Sequence, residues 1–173
     1  MSKVRSIHQK HKTPKTAEAI RREVKRKNTA FNRYMLFRYS LALFFFANVY
    51  WSLTLFFKPS LYMLMPIVLL VLLIMATAEQ FRLYGATKAR LSRTEFALKA
   101  QLVTNIYVMM LTLFNQTSVL LPTLTNHLPA KAMVILLQVL GVVLIRMNLN
   151  RIKLIKRNKD SYYQRFQRIE KYI

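Results

Sequence analysis

Two opposite charges stand at the edges of otherwise uncharged sequence: Arg38 directly before Tyr39–Phe57, and Glu79 directly after Pro59–Ala78. If both runs cross a membrane, Arg38 lies about one turn inside its helix and Glu79 lies at the same end of the next. An ionisable group at such a depth is a functional candidate by default, because burying its charge in hydrocarbon is costly. An Arg38–Glu79 ion pair follows from this placement. It is either a coupling carboxylate for a proton or cation with its counter-charge, or a structural clamp. The structural reading is preferred, and Glu79 has a second partner in Arg82, three residues on. Amides form the second set. Asn48 and Gln138 fall near the middle of apolar runs, Asn115 and Gln116 lie in the outer half of another, and Thr104 and Asn105 extend its polar face. At these depths amides commonly hydrogen-bond between helices, and lining a polar path is the alternative.

Other chemistry finds little material. The chain has no Cys, which removes disulfides, thiolate nucleophiles and Cys-based metal sites. His8, His11 and His127 are scattered without carboxylates beside them, whereas a zinc site needs several converging ligands. There is no Gly-rich phosphate loop and no nucleophile–base–acid set. Met109 and Met110 read as packing filler. The sequence therefore implies neither an enzyme nor a cofactor.

The elements that must position these residues follow from a contradiction in composition. The chain is 54% hydrophobic, yet its 173 residues carry 28 Lys and Arg against 6 Asp and Glu, a net charge of +22. Both properties fit one molecule only if they are segregated. Tyr39–Phe57 is 19 residues without a charge, Pro59–Ala78 is 20, Ala100–Ala130 is 31 and Ala132–Ile145 is 14. A helix needs roughly 20 apolar residues to cross the hydrocarbon core, so the first three qualify and the fourth is short. Charge placement argues that the fourth crosses too. Of the connections, only those holding Lys58 and Lys131 are poor in basic residues; residues 1–33, 79–99 and 146–173 hold 11, 5 and 9 Lys and Arg. Basic residues stay cytoplasmic. An even number of crossings keeps them there, with Lys131 and Arg146 snorkelling at the ends of the last span.

The expected fold is all-α: an integral membrane protein of four transmembrane helices in two antiparallel hairpins, with cytoplasmic amphipathic extensions. The expected spans are 34–57, 61–80, 100–122 and 130–147. They are flanked by a basic segment at 1–33 and a basic amphipathic helix at 148–173. Thr13-Pro14 reads as a helix start, and Ala17, Ile20, Val24, Phe31 and Tyr34 recur at helical spacing beyond it. Lys58-Pro59-Ser60 makes a tight turn, since Pro cannot continue a helix. Ser92-Arg93-Thr94-Glu95 fits a capping box. Tyr50, Trp51 and Tyr62 fall at one interface and Tyr34, Tyr39 and Tyr84 at the other, as in any bilayer protein. In the tail, Ile145, Asn148, Ile152, Ile155, Lys159, Tyr162, Phe166, Ile169 and Ile173 recur at alternate spacings of three and four. This heptad seam reads either as a helix docking on a partner or on lipid, through Ile152, Ile155, Tyr162, Phe166 and Ile169, or as a tail packed on its own bundle.

The expected location is a cell membrane, or the endoplasmic reticulum in a eukaryote, with both termini cytoplasmic. The first apolar run begins too late and runs too long for a cleaved signal. The basic surface is expected to meet anionic lipid; nucleic acid is the less economical partner, because lipid also accounts for where the charges sit. Three functions are compatible. The first is a non-catalytic accessory, assembly or regulatory subunit of a larger membrane complex, with a membrane-protein partner or a second copy. The second is a small oligomeric transporter or channel bounded by Arg38, Asn48, Glu79, Asn115 and Gln138. The third is a holin-like permeabilising protein.

Overall fold

The computed structural model describes residues 17–83, 91–124, 127–157 and 159, and before Phe31 only the side chains of Ala17, Ile20, Arg21, Val24 and Asn28. Among the described residues every regular element is helical: α1 (Ala17–Phe56), a 3-10 turn (Leu61–Met63), α2 (Leu64–Arg82), α3 (Ser92–Leu113), the single turn α4 (Thr117–Leu120) and α5 (Leu128–Lys156). Four stretches, Phe31–Phe56, Leu61–Arg82, Ser92–Leu113 and Leu128–Lys156, are long and apolar enough to cross a bilayer. That is the pattern of a multi-pass membrane protein.

The short fourth run is part of a 29-residue helix. Pro129 sits in its first turn, where a missing N–H costs nothing, and His127 holds the extended backbone that precedes it.

The third span departs from the expected 100–122. α3 begins at Ser92, where the sequence placed the start of this helix, but stops at Leu113 instead of near Pro122, because Asn115 adopts a left-handed backbone with φ 62°. The Asn115 and Gln116 N–H groups reach back to the carbonyls of Thr112 (3.2 Å) and Leu111 (3.0 Å), a Schellman stop with Asn at the position usually held by Gly. The capping box is not formed either. Leu91 precedes the first turn, and no side chain of α3 caps it.

Packing obeys one rule in all four long helices. Buried residues recur three and four apart: Tyr34, Phe37, Leu41, Phe44, Asn48 and Leu55 in α1, and Pro66, Leu69, Leu73, Ala76 and Gln80 in α2. Thr94, Leu98, Gln101, Asn105, Val108 and Thr112 repeat the pattern in α3, as do Val134, Gly141, Ile145, Asn148, Ile152 and Ile155 in α5. Half-buried Trp51 and Gln138 fill the two seven-residue gaps. A 3.5-residue period is the signature of knobs-into-holes packing between helices slightly inclined to one another. α1 packs on α2, α2 on α3, α3 on α5, and α5 returns more lightly to α1. The outward faces are apolar instead of polar: Leu43, Phe46 and Leu53 on α1, and Leu136, Leu137 and Leu140 on α5, are all more than half exposed.

The tail seam continues this core. Ile152 and Ile155 are 1% exposed and belong to the same cluster as Tyr34, Leu83, Leu91 and Leu98. Their expected role on a docking surface is therefore corrected: they are occupied within the bundle. α5 ends at Lys156, and the Lys159 N–H reaches back 3.0 Å to the Leu154 carbonyl. Tyr162, Phe166 and Ile169 lie outside the described residues.

Replacing Ile152 by Ala should lower stability by about 2–4 kcal/mol, the range for truncating a buried Ile. Leu154→Ala, on the exposed side of the same turn, should change it by less than about 0.5 kcal/mol. Unfolding of the two variants in mixed dodecyl maltoside and SDS micelles measures the contrast.

Candidate functional site

The seam positions of α1, α3 and α5 include polar residues at intervals, and the bundle turns each of them inward. Asn48, Gln101, Asn105, Asn148, Gln80 and Ser40 are all 6% exposed or less. In hydrocarbon such a group has no solvent to bond, so each one needs a partner inside the protein. The partners are one another, Thr94 and the backbone carbonyls one turn back, while Gln80 Oε1 and Asn148 Oδ1 accept from no described group.

The middle of the bundle carries a chain of three amides. Asn48 Nδ2 on α1 donates to Gln101 Oε1 on α3 (2.8 Å) and to its own Phe44 carbonyl (2.8 Å). Gln101 Nε2 then donates to Asn105 Oδ1, one turn on, at 2.9 Å. Opposite Asn105 stands Gly141 of α5. A Cβ there would lie 2.5 Å from Asn105 Nδ2, so only Gly lets the amide and the α5 backbone approach this closely.

A second bond ties α5 to α1, where Asn148 Nδ2 donates to Ser40 Oγ (2.8 Å) and to the Leu144 carbonyl (2.8 Å). Towards the opposite end, the Trp51 indole N–H donates to the Leu120 carbonyl at 2.8 Å. This contact holds the end of α4 against α1.

At the junction of α2 and α3, Glu79 has a different task from the one its sequence position suggested. Its carboxylate accepts from the N–H groups of Arg93 (3.1 Å) and Thr94 (2.7 Å) and from the Thr94 hydroxyl (2.8 Å). Gln80 Nε2 donates to the same hydroxyl at 2.8 Å. The first turn of α3 thus receives from the preceding helix the cap that its own Ser92 does not supply. A carboxylate is well suited to this place, since it satisfies two orphan N–H groups and opposes the positive end of the helix dipole. Glu95, the other half of the expected capping box, instead bridges Lys99 (2.7 Å) and Lys156 and so joins α3 to the last turn of α5.

The five candidate residues do not form one site. Asn48 is in the central contact. Glu79 caps α3 and makes no pair with Arg38 among the described residues, and Arg38 lies with its guanidinium 4.9 Å from the centre of the Phe31 ring. Asn115 is exposed beyond the end of α3, where its Oδ1 accepts from the Lys131 ammonium. Gln138 is half-buried on the α5 seam and forms no hydrogen bond with another described residue. Gln101, Ser40, Gln80, Thr94 and Gly141 were not identified as candidates from the sequence. For all but Ser40, which lies beside the seam residue Leu41, the signal was present: Gln101 lies four residues before Asn105, and each stands on a 3–4 repeat.

Double-mutant cycles test the central contact. Asn48→Ala and Gln101→Ala should each be destabilising and should couple by about 0.6–1.7 kcal/mol, the range for hydrogen bonds between membrane helices. Gly141→Ala should destabilise the wild type, and most of that cost should disappear in an Asn105→Ala background. Thermal unfolding in detergent measures both.

Comparison with protein-family models, curated proteins and solved structures gave no match.

Proposed function

We propose that the chain is a non-catalytic subunit of a larger membrane complex, serving its assembly or regulation, and that it meets its partner through the first part of α1. The bundle sits in the bilayer as two antiparallel hairpins, with both termini and the basic segments in the cytoplasm.

The observation that supports this reading is the continuity of α1. Its apolar sequence becomes dense only from Phe31, after the basic cluster Lys25-Arg26-Lys27, but the helix starts at Ala17 without a break. Fourteen residues, about 21 Å at 1.5 Å per residue, therefore extend the span. A helix rigidly continuous with a span does not lie flat in the interface, as a separate amphipathic helix would. Yet this extension presents apolar side chains: Ile20 is 50% exposed and Val24 is 51% exposed, one turn apart. An apolar face held out of the bilayer is covered most simply by another helix. Residues 17–33 contain six Lys and Arg against Glu18 and Glu23. Two such helices side by side repel, so a partner with an acidic amphipathic helix fits better than a second copy.

An oligomeric transporter or channel is less well supported. The central amides are bonded to one another, and Arg38, Glu79, Asn115 and Gln138 are dispersed.

Affinity purification from mild detergent followed by mass spectrometry should recover a stoichiometric protein partner. An Ile20→Glu/Val24→Glu variant should lose it while keeping the wild-type unfolding midpoint. Recovery of the wild type as a lone monomer, with no crosslinked neighbour in native membranes, would contradict the reading.

A further inference from the structure

We propose that the groove between α2 and α3, lined by Leu72, Met75, Ser92, Arg93 and Phe96, is a binding site for one phospholipid with an anionic head group. The site is independent of the protein partner proposed above and rests only on the chain's placement in a bilayer.

The lining is graded along the helix axes. Glu79 binds the Arg93 and Thr94 N–H groups, which sets Ser92 and Arg93 level with the last turn of α2. Met75 and Leu72 lie four and seven residues back along α2 from Glu79, about 6 and 10 Å deeper at 1.5 Å per residue. Phe96 lies one turn deeper on α3. The groove surface itself is almost wholly apolar, and the exposed residues Ser92 and Arg93 stand at its end nearest the α2–α3 junction, the same order in which a phospholipid presents acyl chain, glycerol and phosphate.

Size and charge point to the same occupant. The cavity volume is about 180 Å³, below the roughly 300 Å³ at which sites enclosing a whole small molecule begin. A groove of this size suits part of a molecule whose remainder lies outside, such as one stretch of an acyl chain. Phe96 is 61% exposed and Met75 41% exposed, so the groove opens to the hydrocarbon side.

At this end of the groove Arg93 is exposed, its side chain makes no ion pair or hydrogen bond with another described side chain, and the exposed Ser92 precedes it. Arg is suited to a phosphate because its planar fork donates two parallel hydrogen bonds. No acidic side chain lines the groove. Of the acids on the two helices beside it, Glu79 has both oxygens turned to α3, and Glu95 is paired with Lys99 and Lys156. Basic pockets between spans at the cytoplasmic side are a recognised form of anionic-lipid site.

Native mass spectrometry of the full chain, released from nanodiscs of equal phosphatidylcholine and phosphatidylglycerol, tests the proposal. One phosphatidylglycerol should stay bound. Arg93→Gln should weaken its retention about tenfold, the effect of losing one charge-assisted hydrogen bond. Arg146→Gln, an exposed basic residue on α5, should leave it unchanged. Met75→Trp fills the floor without touching the charge and should also displace the lipid, so the proposal stands on two variants with opposite liabilities for folding. Equal losses in Arg93→Gln and Arg146→Gln would reduce the site to general surface attraction. Equal retention of phosphatidylcholine, or full displacement by millimolar inorganic phosphate with no effect of Met75→Trp, would equally overturn it.

Discussion

Hydrocarbon offers a buried amide nothing to bond, and the rest of this fold depends on that. In water, apolar side chains drive helices together. In a bilayer the lipid tails are as apolar as leucine, and close packing and interhelical hydrogen bonds must hold the bundle. The chain meets the requirement by placing polar residues on the seam of helices whose outer faces are apolar. Asn48 to Gln101, Asn148 to Ser40, and Gln80 with Glu79 to Thr94 join α1 to α3, α5 to α1, and α2 to α3. Each contact is modest in energy. Each also fixes register, because sliding one helix by a single turn, about 5.4 Å, would leave two unbonded amides in hydrocarbon. Gly141 belongs to the same arrangement, since it lets Asn105 approach the backbone of α5.

Much of the helical plan was legible in the sequence. Uncharged runs of the right length marked three of the four membrane-compatible helices, because length and charge are local properties, and the placement of basic residues along the whole chain argued for the fourth. The tail seam beginning at Ile145 was legible too, but its meaning was not. Period alone cannot say whether a stripe faces its own bundle or a partner, and Ile152 and Ile155 turned out to be core. The end of α3 was misplaced for a physical reason: Asn115 was read for its side chain, whereas its backbone, at positive φ, stops the helix. Glu79 was misjudged for another. Its sequence position suggested an opposite charge as partner, yet the nearest unsatisfied groups in space were the N–H groups that start α3. Gln101 was overlooked because a single amide at the edge of an apolar run looks like a boundary residue until Asn48 is seen opposite it.

Rigidity links the interior to the proposed functions. The bonded seam holds α1 upright, and its unbroken helix then carries Ile20 and Val24 outward as an extension of the bundle. The same bonding sets α2 and α3 level at Glu79 and leaves Arg93 at the mouth of an apolar groove. In the proposed reading, a protein whose polar interior is engaged in holding helices acts through its surfaces, towards a partner helix on one side and a lipid on another.

The account stands most directly on the claim that one 3–4 seam faces the interior along the whole of α5, through the membrane and beyond it. Because the chain has no Cys, single cysteines at successive positions from 132 to 156 each give one unambiguous spin label. Oxygen accessibility in nanodiscs should oscillate with an unbroken period near 3.5 residues, with minima at Val134, Gly141, Ile145, Asn148, Ile152 and Ile155. Loss of phase after Ile145, with Ile152 and Ile155 as accessible as Leu154, would contradict it.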